Sequence, residues 1–449
     1  MDQEKSGYIG LALKKLKDAE SQVGDEIRVT TDHKQHVGVL IPRAQIGSDQ
    51  EHIVIKLDSG YNIGVRLNDE SKIEKLRDGP KSKPPEAEIE REIDESLPTV
   101  SILSTGGTIA SRVDYKTGAV HPALNARDLY DAVPELTDHA NIRAKVVMSA
   151  LSENIDPDDW SLIAEAVAEE IRHGIDGVII AHGTDTLGFT AAALAFALQN
   201  IPVPIVLVGS QRSSDRPSSD ASMNLLQSVK FVGEADAAEV MVVMHGESDD
   251  TFTYAHRGVR TRKCHTSRRD AFQSINNNPL FKIERNHITE IQSPIMRRNR
   301  DRDINLKSDF DKLVALVKSY PGIDSTVIDN LIDCGYRGLV IEGTGLGHAP
   351  EHLHESLRKA IESDVIVTMT SQCIWGRTNL NVYRPGVEML QMGIIPCEDM
   401  LPETALVKLM WLLGNFDDSA KIQKMMVQNL VGEIGERTEI DQYGSMKEV

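Results

Sequence analysis

Val100-Ser101-Ile102-Leu103-Ser104-Thr105-Gly106-Gly107-Thr108-Ile109-Ala110-Ser111 is the stretch whose reading decides the fold. A short, mostly apolar run without clean alternation is what a strand buried on both faces requires. The two glycines that follow let the chain turn sharply at the strand's end. The pairing recurs downstream. Gly177-Val178-Ile179-Ile180-Ala181 runs into His182-Gly183-Thr184-Asp185-Thr186, and Val203–Val208 into Gly209-Ser210-Gln211-Arg212. Val240–Met244, Leu339–Glu342 and Val365–Met369 are further strands of this kind. Helical patterns lie between them. Asp156 is placed to cap and Pro157 to open one, with Trp160, Ile163, Ala164, Val167 and Ile171 as its apolar stripe and Gly174 as its stop. Thr190–Gln199 reads as a second, rich in alanine. Strands alternating with helices predict an α/β fold with a mostly parallel sheet covered on both faces, and ligands beyond the carboxyl ends of its strands.

Working outward, the first 77 residues have a different texture. Ile27-Arg28-Val29-Thr30, Val37-Gly38-Val39-Leu40-Ile41, His52-Ile53-Val54-Ile55 and Asn62-Ile63-Gly64-Val65 are short β-branched runs separated by Asp, Gly and Ser, the pattern of a small all-β module such as a five-stranded barrel. Residues 78–97, with Pro80, Pro84, Pro85 and an acidic run, read as a linker. The expected organisation is thus a small β-barrel at 1–77, the linker, an α/β domain at 98–300, a connection at 301–325, and a smaller α/β domain with a tail at 326–449.

Composition narrows the function. The chain of 449 residues carries a net charge of −19, the opposite of the basic excess with which nucleic-acid binders neutralise phosphates. Any RNA work would fall mainly to a partner. No stretch approaches the roughly 18 consecutive apolar residues of a membrane helix, and the N-terminus lacks a signal-peptide pattern. Cys264, Cys334, Cys373 and Cys397 show no C-x-x-C spacing, which argues against zinc and disulfides and suits a reducing cytoplasm.

Taken singly, the loops leave alternatives open. Thr105-Gly106-Gly107-Thr108 serves equally a phosphate-binding turn or a nucleophile beside backbone amides that steady developing negative charge. Thr184-Asp185 sets a hydroxyl and a carboxylate side by side, as a helix cap also would, and His182 reads as a packed, hydrogen-bonding residue. Gly343-Thr344-Gly345-Leu346-Gly347 lacks the full dinucleotide fingerprint, and a tight turn is the better reading.

In combination they resemble the bacterial-type L-asparaginases. Thr-Gly-Gly-Thr-Ile-Ala at 105–110 is followed some 75 residues later by His-Gly-Thr-Asp-Thr at 182–186, with Tyr115, Ser152-Glu153-Asn154, Gly209-Ser210-Gln211-Arg212, Ser219-Asp220-Ala221 and Arg262-Lys263 in family order. The resemblance runs from about Thr99 to Leu413. It implies an asparaginase-like two-domain fold and an amidohydrolase. Thr108 would be the nucleophile that forms an acyl-enzyme and Tyr115 a lid residue that helps activate it. Thr184, Asp185 and Lys263 would form a second catalytic cluster. Ser152 and Asp185 would hold the substrate, as would Glu153, which stands where many stand-alone members carry glutamine. A threonine hydroxyl needs such a neighbouring base at neutral pH. The family also takes a residue from a neighbouring protomer, which the sequence of 373–385 does not identify.

Ordinary asparaginases begin close to the first motif, whereas here about 100 residues precede it. That layout is similar to the D subunits of archaeal glutamyl-tRNA(Gln) amidotransferases, as are Thr117-Gly118-Ala119-Val120-His121-Pro122, Lys263–Phe272, Gly432-Glu433-Ile434 and Glu436-Arg437. The resemblance implies a glutaminase that works without a cofactor of its own. As a homodimer within a heterotetramer, it would pass ammonia to the E subunit, which binds Glu-tRNA(Gln) and uses ATP and Mg2+. The competing expectations are a free-standing asparaginase or glutaminase, and a catalytically silent scaffold.

Overall fold

A computed structural model describes residues 7–31, 34–41, 50–57, 62–78, 94–106, 111–114, 119–122, 129–130, 133–212, 219–285 and 287–438. Most of the expected linker lies outside these residues.

The N-terminal module is a five-stranded antiparallel sheet. Four strands (Glu26–Thr30, Gln35–Leu40, His52–Lys56 and Asn62–Arg66) form a meander, and the fifth, Lys72–Arg77, returns beside the first. Alternation sends Ile27, Val29, Leu40, Ile53, Ile55 and Val65 into one small core. The β-dominated reading of this segment missed a helix, Gly10–Asp18, whose Ala12, Leu13 and Leu16 close that core. Its weak signal is physical: the helix is short, its start has no side-chain cap, and it is held by packing.

The central unit is an eight-stranded mixed sheet. Five strands run parallel in the spatial order Asn141–Val146, Thr99–Ser104, Gly177–Ala181, Ile205–Val208, Val240–His245. Phe252–Arg257, Phe281–Glu284 and His287–Glu290 continue antiparallel at the far edge. Gly177–Ala181 is buried at every residue because helices cover both faces: Pro157–Arg172 and Leu187–Ala197 on one, Ala221–Glu234 on the other. Asp156 caps the first of these helices by accepting from the backbone amides of Asp158 and Asp159, with Pro157 at the first helical position. Chain order along the parallel part reverses between Thr99–Ser104 and Gly177–Ala181, so the loops after these two strands flank the crevice where open α/β sheets bind ligands.

The C-terminal unit is a four-stranded parallel sheet, Val314–Lys318, Gly338–Gly343, Ile366–Ser371 and Ile395–Pro396. Its first strand falls inside the 301–325 segment expected as a connection. The pairing of Val314–Lys318 with Gly338–Gly343 makes the true connection shorter. A helix at Pro402–Asn415 packs between this sheet and Leu187–Ala197, so Leu409, Trp411 and Leu412 share a core with Leu194 and Phe196. The two α/β units are thus one packed body.

Candidate active site

Thr184 and Asp185 sit in the bend between the strand Gly177–Ala181 and the helix Leu187–Ala197. Lys263 ends the short strand Thr261–Lys263, which pairs with Phe272–Ser274 so that Lys263 faces Phe272. The hairpin carries the lysine over the bend. Its Nζ donates to Thr184 Oγ1 at 2.9 Å and to Asp185 Oδ1 at 2.7 Å. The Lys263 side chain is 15% exposed and the Asp185 side chain 66%, so the cluster has a shielded cation and an open carboxylate face. The Lys263–Thr184 distance suits proton movement in either direction: an ammonium donates to the hydroxyl oxygen, and a neutral amine accepts the hydroxyl proton.

The bend is held from below. His182 is buried, and its Nδ1 lies 2.7 Å from the Gly183 carbonyl while Nε2 lies 2.9 Å from Thr190 Oγ1. A carbonyl only accepts, so Nδ1 carries the proton and Nε2 accepts from the Thr190 hydroxyl. Burial pushes the imidazole down to about 4, consistent with a neutral bolt. Thr186 Oγ1 donates to the Ser152 carbonyl at 2.6 Å, which ties the 150–154 loop to the same bend. Ser152 is buried and lies against Gly183, where an added Cβ would come within 2.7 Å of the serine Cβ. Glu153 is exposed in the turn Ser152–Asn154.

On the other side of the crevice, the Thr105 amide and hydroxyl both donate to the Ala181 carbonyl, at 3.0 and 3.1 Å. Gly106 follows with φ of +112° and its Cα against the Ala150 carbonyl, a place only glycine fits. Thr108 and Tyr115 lie outside the described residues. The structure therefore brings Thr184, Asp185 and Lys263 into direct contact and places Ser152 beside them.

Reading from sequence missed the supports. The third loop, 209–212, hangs on Asp220, which accepts from the amides of Gln211 and Arg212, and on Asn224, whose Nδ2 donates to the Gly209 carbonyl. Buried His245 braces Asn224 at 2.6 Å and reaches Asp250 at 3.0 Å. Asp220 stood among the family matches, but nothing in the sequence connects His245 to it across 25 residues. Among the described residues no cluster of three or more His, Cys, Asp or Glu side chains could hold a metal ion, and no helix is long and apolar enough to cross a membrane.

Comparison with known proteins assigns this arrangement. Residues 99–296 match the family "Asparaginase, N-terminal", residues 313–426 the "Glutaminase/Asparaginase C-terminal domain", and residues 21–76 the "GatD N-terminal domain". The D subunit of the glutamyl-tRNA(Gln) amidotransferase of Pyrococcus abyssi is 50% identical over 434 residues, covering 95% of this chain and 98% of that one. Its counterpart in Metallosphaera sedula is 47% identical and covers 98% of this chain and 99% of that one. The chain belongs to the glutamyl-tRNA(Gln) amidotransferase D-subunit family. Within the asparaginase fold the family is larger than a free enzyme: the L-asparaginase of Thermococcus kodakarensis, 31% identical with a TM-score of 0.66, is covered over 99% of its length by only 75% of this chain.

Proposed function

We propose that this chain hydrolyses glutamine and supplies the ammonia to a tRNA-dependent amidotransferase. The observation that carries the reading is that full-length similarity to D subunits includes the N-terminal module, which the asparaginase domain families do not cover. The Lys263–Thr184–Asp185 contact supports the hydrolytic half.

In this reading the Thr108 hydroxyl attacks the side-chain amide carbon of glutamine. Ammonia leaves as the tetrahedral intermediate collapses to an ester, and water then releases glutamate and regenerates the threonine. Lys263 and Thr184 relay protons, and the exposed Asp185 carboxylate holds the substrate's α-ammonium. Ser152 and Glu153, on the adjoining loop, contact the rest of the amino acid. Tyr115 acts from a lid over Thr108. Amides of the glycine-containing turns steady the oxyanion. The partner is the E subunit, which brings ATP, Mg2+ and Glu-tRNA(Gln) in the cytoplasm, and the working assembly is a homodimer of this chain within a heterotetramer. The acidic balance of −19 agrees with leaving the tRNA to that partner. We read the N-terminal sheet as an SH3-like barrel, since a four-strand meander with a fifth strand beside the first has that connectivity.

The test is ammonia release from glutamine and from asparagine by the chain alone, and with the co-purified E subunit, ATP and Glu-tRNA(Gln). The expected result is hydrolysis that responds to the partner and tRNA and disappears in Thr108→Ala. Full-rate turnover indifferent to both would instead favour a free-standing amidohydrolase.

A further inference from the structure

Lys263 and Thr184 reach each other from different elements, the lysine from its hairpin and the threonine from the bend after Gly177–Ala181. Their 2.9 Å contact therefore depends on what fixes the hairpin relative to the bend. A path of hydrogen bonds through the buried end of the strand Val240–His245 joins the two.

The path starts in the loop of the hairpin itself. Arg269, its side chain only 14% exposed, donates to Asp250 Oδ1 at 2.7 Å. The same carboxylate oxygen lies 3.0 Å from His245 Nε2, and His245 Nδ1 lies 2.6 Å from Asn224 Oδ1. Asn224 Nδ2 donates to the Gly209 carbonyl and to Asp220 Oδ2, each at 3.0 Å. Gly209 in turn packs on Thr184, where an added Cβ would come within 2.8 Å of the threonine's methyl carbon. From Thr184 the contact with Lys263 leads back to the hairpin, so the path closes on itself.

The partners dictate the direction of each bond. One end of the Asn224 amide faces a carbonyl and a carboxylate, both acceptors, which makes that end the NH2 and leaves Oδ1 to accept from His245. The Asp250 carboxylate also accepts. Both ring nitrogens of His245 thus face acceptors, and an imidazole that satisfies both carries a proton on each. His245 is fully buried at the centre of this circuit, whereas the Asp250 side chain is 64% exposed at its rim. Buried Asp220 fixes the loop that carries Gly209 by accepting from the amides of Gln211 and Arg212. The 150–154 loop is held to the bend by a different bond, from Thr186 to the Ser152 carbonyl.

We propose that His245 is a positioning residue for glutamine hydrolysis, which with Asp250 and Asn224 holds the Lys263 hairpin and Thr184 at proton-transfer distance. The proposal rests on the amidohydrolase reading above. A misplacement of about 1 Å at such a pair can cost about 10²-fold in rate. Because the substrate contacts at Ser152 and Asp185 are anchored separately, loosening the circuit lowers kcat and leaves KM nearly unchanged.

The test measures glutamine hydrolysis by the full chain with the E subunit and Glu-tRNA(Gln), comparing wild type, Asp250→Ala and Asp249→Ala. Both substitutions remove a carboxylate from the same exposed turn, so neither opens the core. Nitrogen-15 NMR of histidine-labelled chain reports the protonation of the ring nitrogens without reference to activity. The expected result for Asp250→Ala is a kcat at least about tenfold lower, a KM within about threefold of wild type, and a melting temperature close to it. Asp249→Ala should keep the wild-type rate. Wild type at neutral pH should show a histidine protonated on both ring nitrogens, and its signals should change in Asp250→Ala. Wild-type kcat in Asp250→Ala, an equal loss in Asp249→Ala, or a raised KM at constant kcat overturns the proposal. So does a spectrum without a doubly protonated histidine that responds to Asp250→Ala. Absence of hydrolysis in wild type would sink the amidohydrolase reading instead, and the spectrum would still decide whether His245 joins the two acceptors.

Discussion

At the scale of single residues, the Lys263 ammonium is the hinge of the chemistry, because it touches both Thr184 and Asp185. Lys263→Met keeps most of the aliphatic stem and deletes the contacts. Glutamine hydrolysis should fall at least about 10³-fold with little change in melting temperature, and kcat alongside a thermal melt checks it. His182 gives a second, opposite kind of prediction. Its folded value of about 4 lies below the ordinary value of 6.5, through burial first. Between these values the unfolded chain binds the proton and the folded chain does not, so stability rises with pH across this window and is lost as pH falls toward 4. The contribution is on the order of 3 kcal/mol. Urea midpoints from pH 7 to pH 4 should drop more steeply for wild type than for His182→Asn, and equal slopes would remove His182 from the account. The residue types at Thr184, Asp185 and Lys263 were legible because their motifs are contiguous and ordered. His182 was legible as a packed, hydrogen-bonding residue, but its partner Thr190 was not, since a hydroxyl within a helix carries no such sequence signal.

At the scale of elements, the bend after Gly177–Ala181 depends on a residue without a side chain. Gly183→Ala would drive a methyl group into Ser152, so the 150–154 loop must shift. The expected effect is a KM for glutamine raised roughly tenfold or more with a melting temperature close to wild type, in line with a loss of substrate positioning. A kcat loss at constant KM would mean that Ser152 is not a substrate contact. The alternation of strands and helices was readable because buried parallel strands are continuous apolar runs and Asp156-Pro157 is an unambiguous helix start. The antiparallel edge, Phe252–Arg257 through His287–Glu290, was not, since its runs are broken by charge and its partners are set by tertiary pairing. The strand Val314–Lys318 escaped although Leu313-Val314-Ala315-Leu316-Val317 is a continuous apolar run, because so short a run does not by itself tell a strand from a helix segment.

At the scale of the whole molecule, the tail and the domain junction depend on buried charge. Lys408 lies on the buried face of the Pro402–Asn415 helix with Glu433 as its counter-ion, and burial pulls the lysine below its ordinary range while Glu433 pulls it back. Removing one partner leaves an unpaired buried charge, so Lys408→Met should cost about 3–5 kcal/mol, and adding Glu433→Gln should recover part of it. Denaturant midpoints of the two variants decide this. Nothing in the local sequence announced the pair, because its members are 25 residues apart and Lys408 belongs to no motif. The motif order and the extra N-terminal module did announce the family, since the first matches the asparaginase domains and the second the module that the D subunits add.

The most direct measurement follows the nitrogen itself. With amide-15N glutamine, the E subunit, Glu-tRNA(Gln), ATP and Mg2+, the account predicts Gln-tRNA(Gln) carrying the label with wild-type chain. With Lys263→Met it predicts no labelled product, and restored, unlabelled product when ammonium is added. Label released only to solvent, or labelled product made equally well with Lys263→Met, would contradict it.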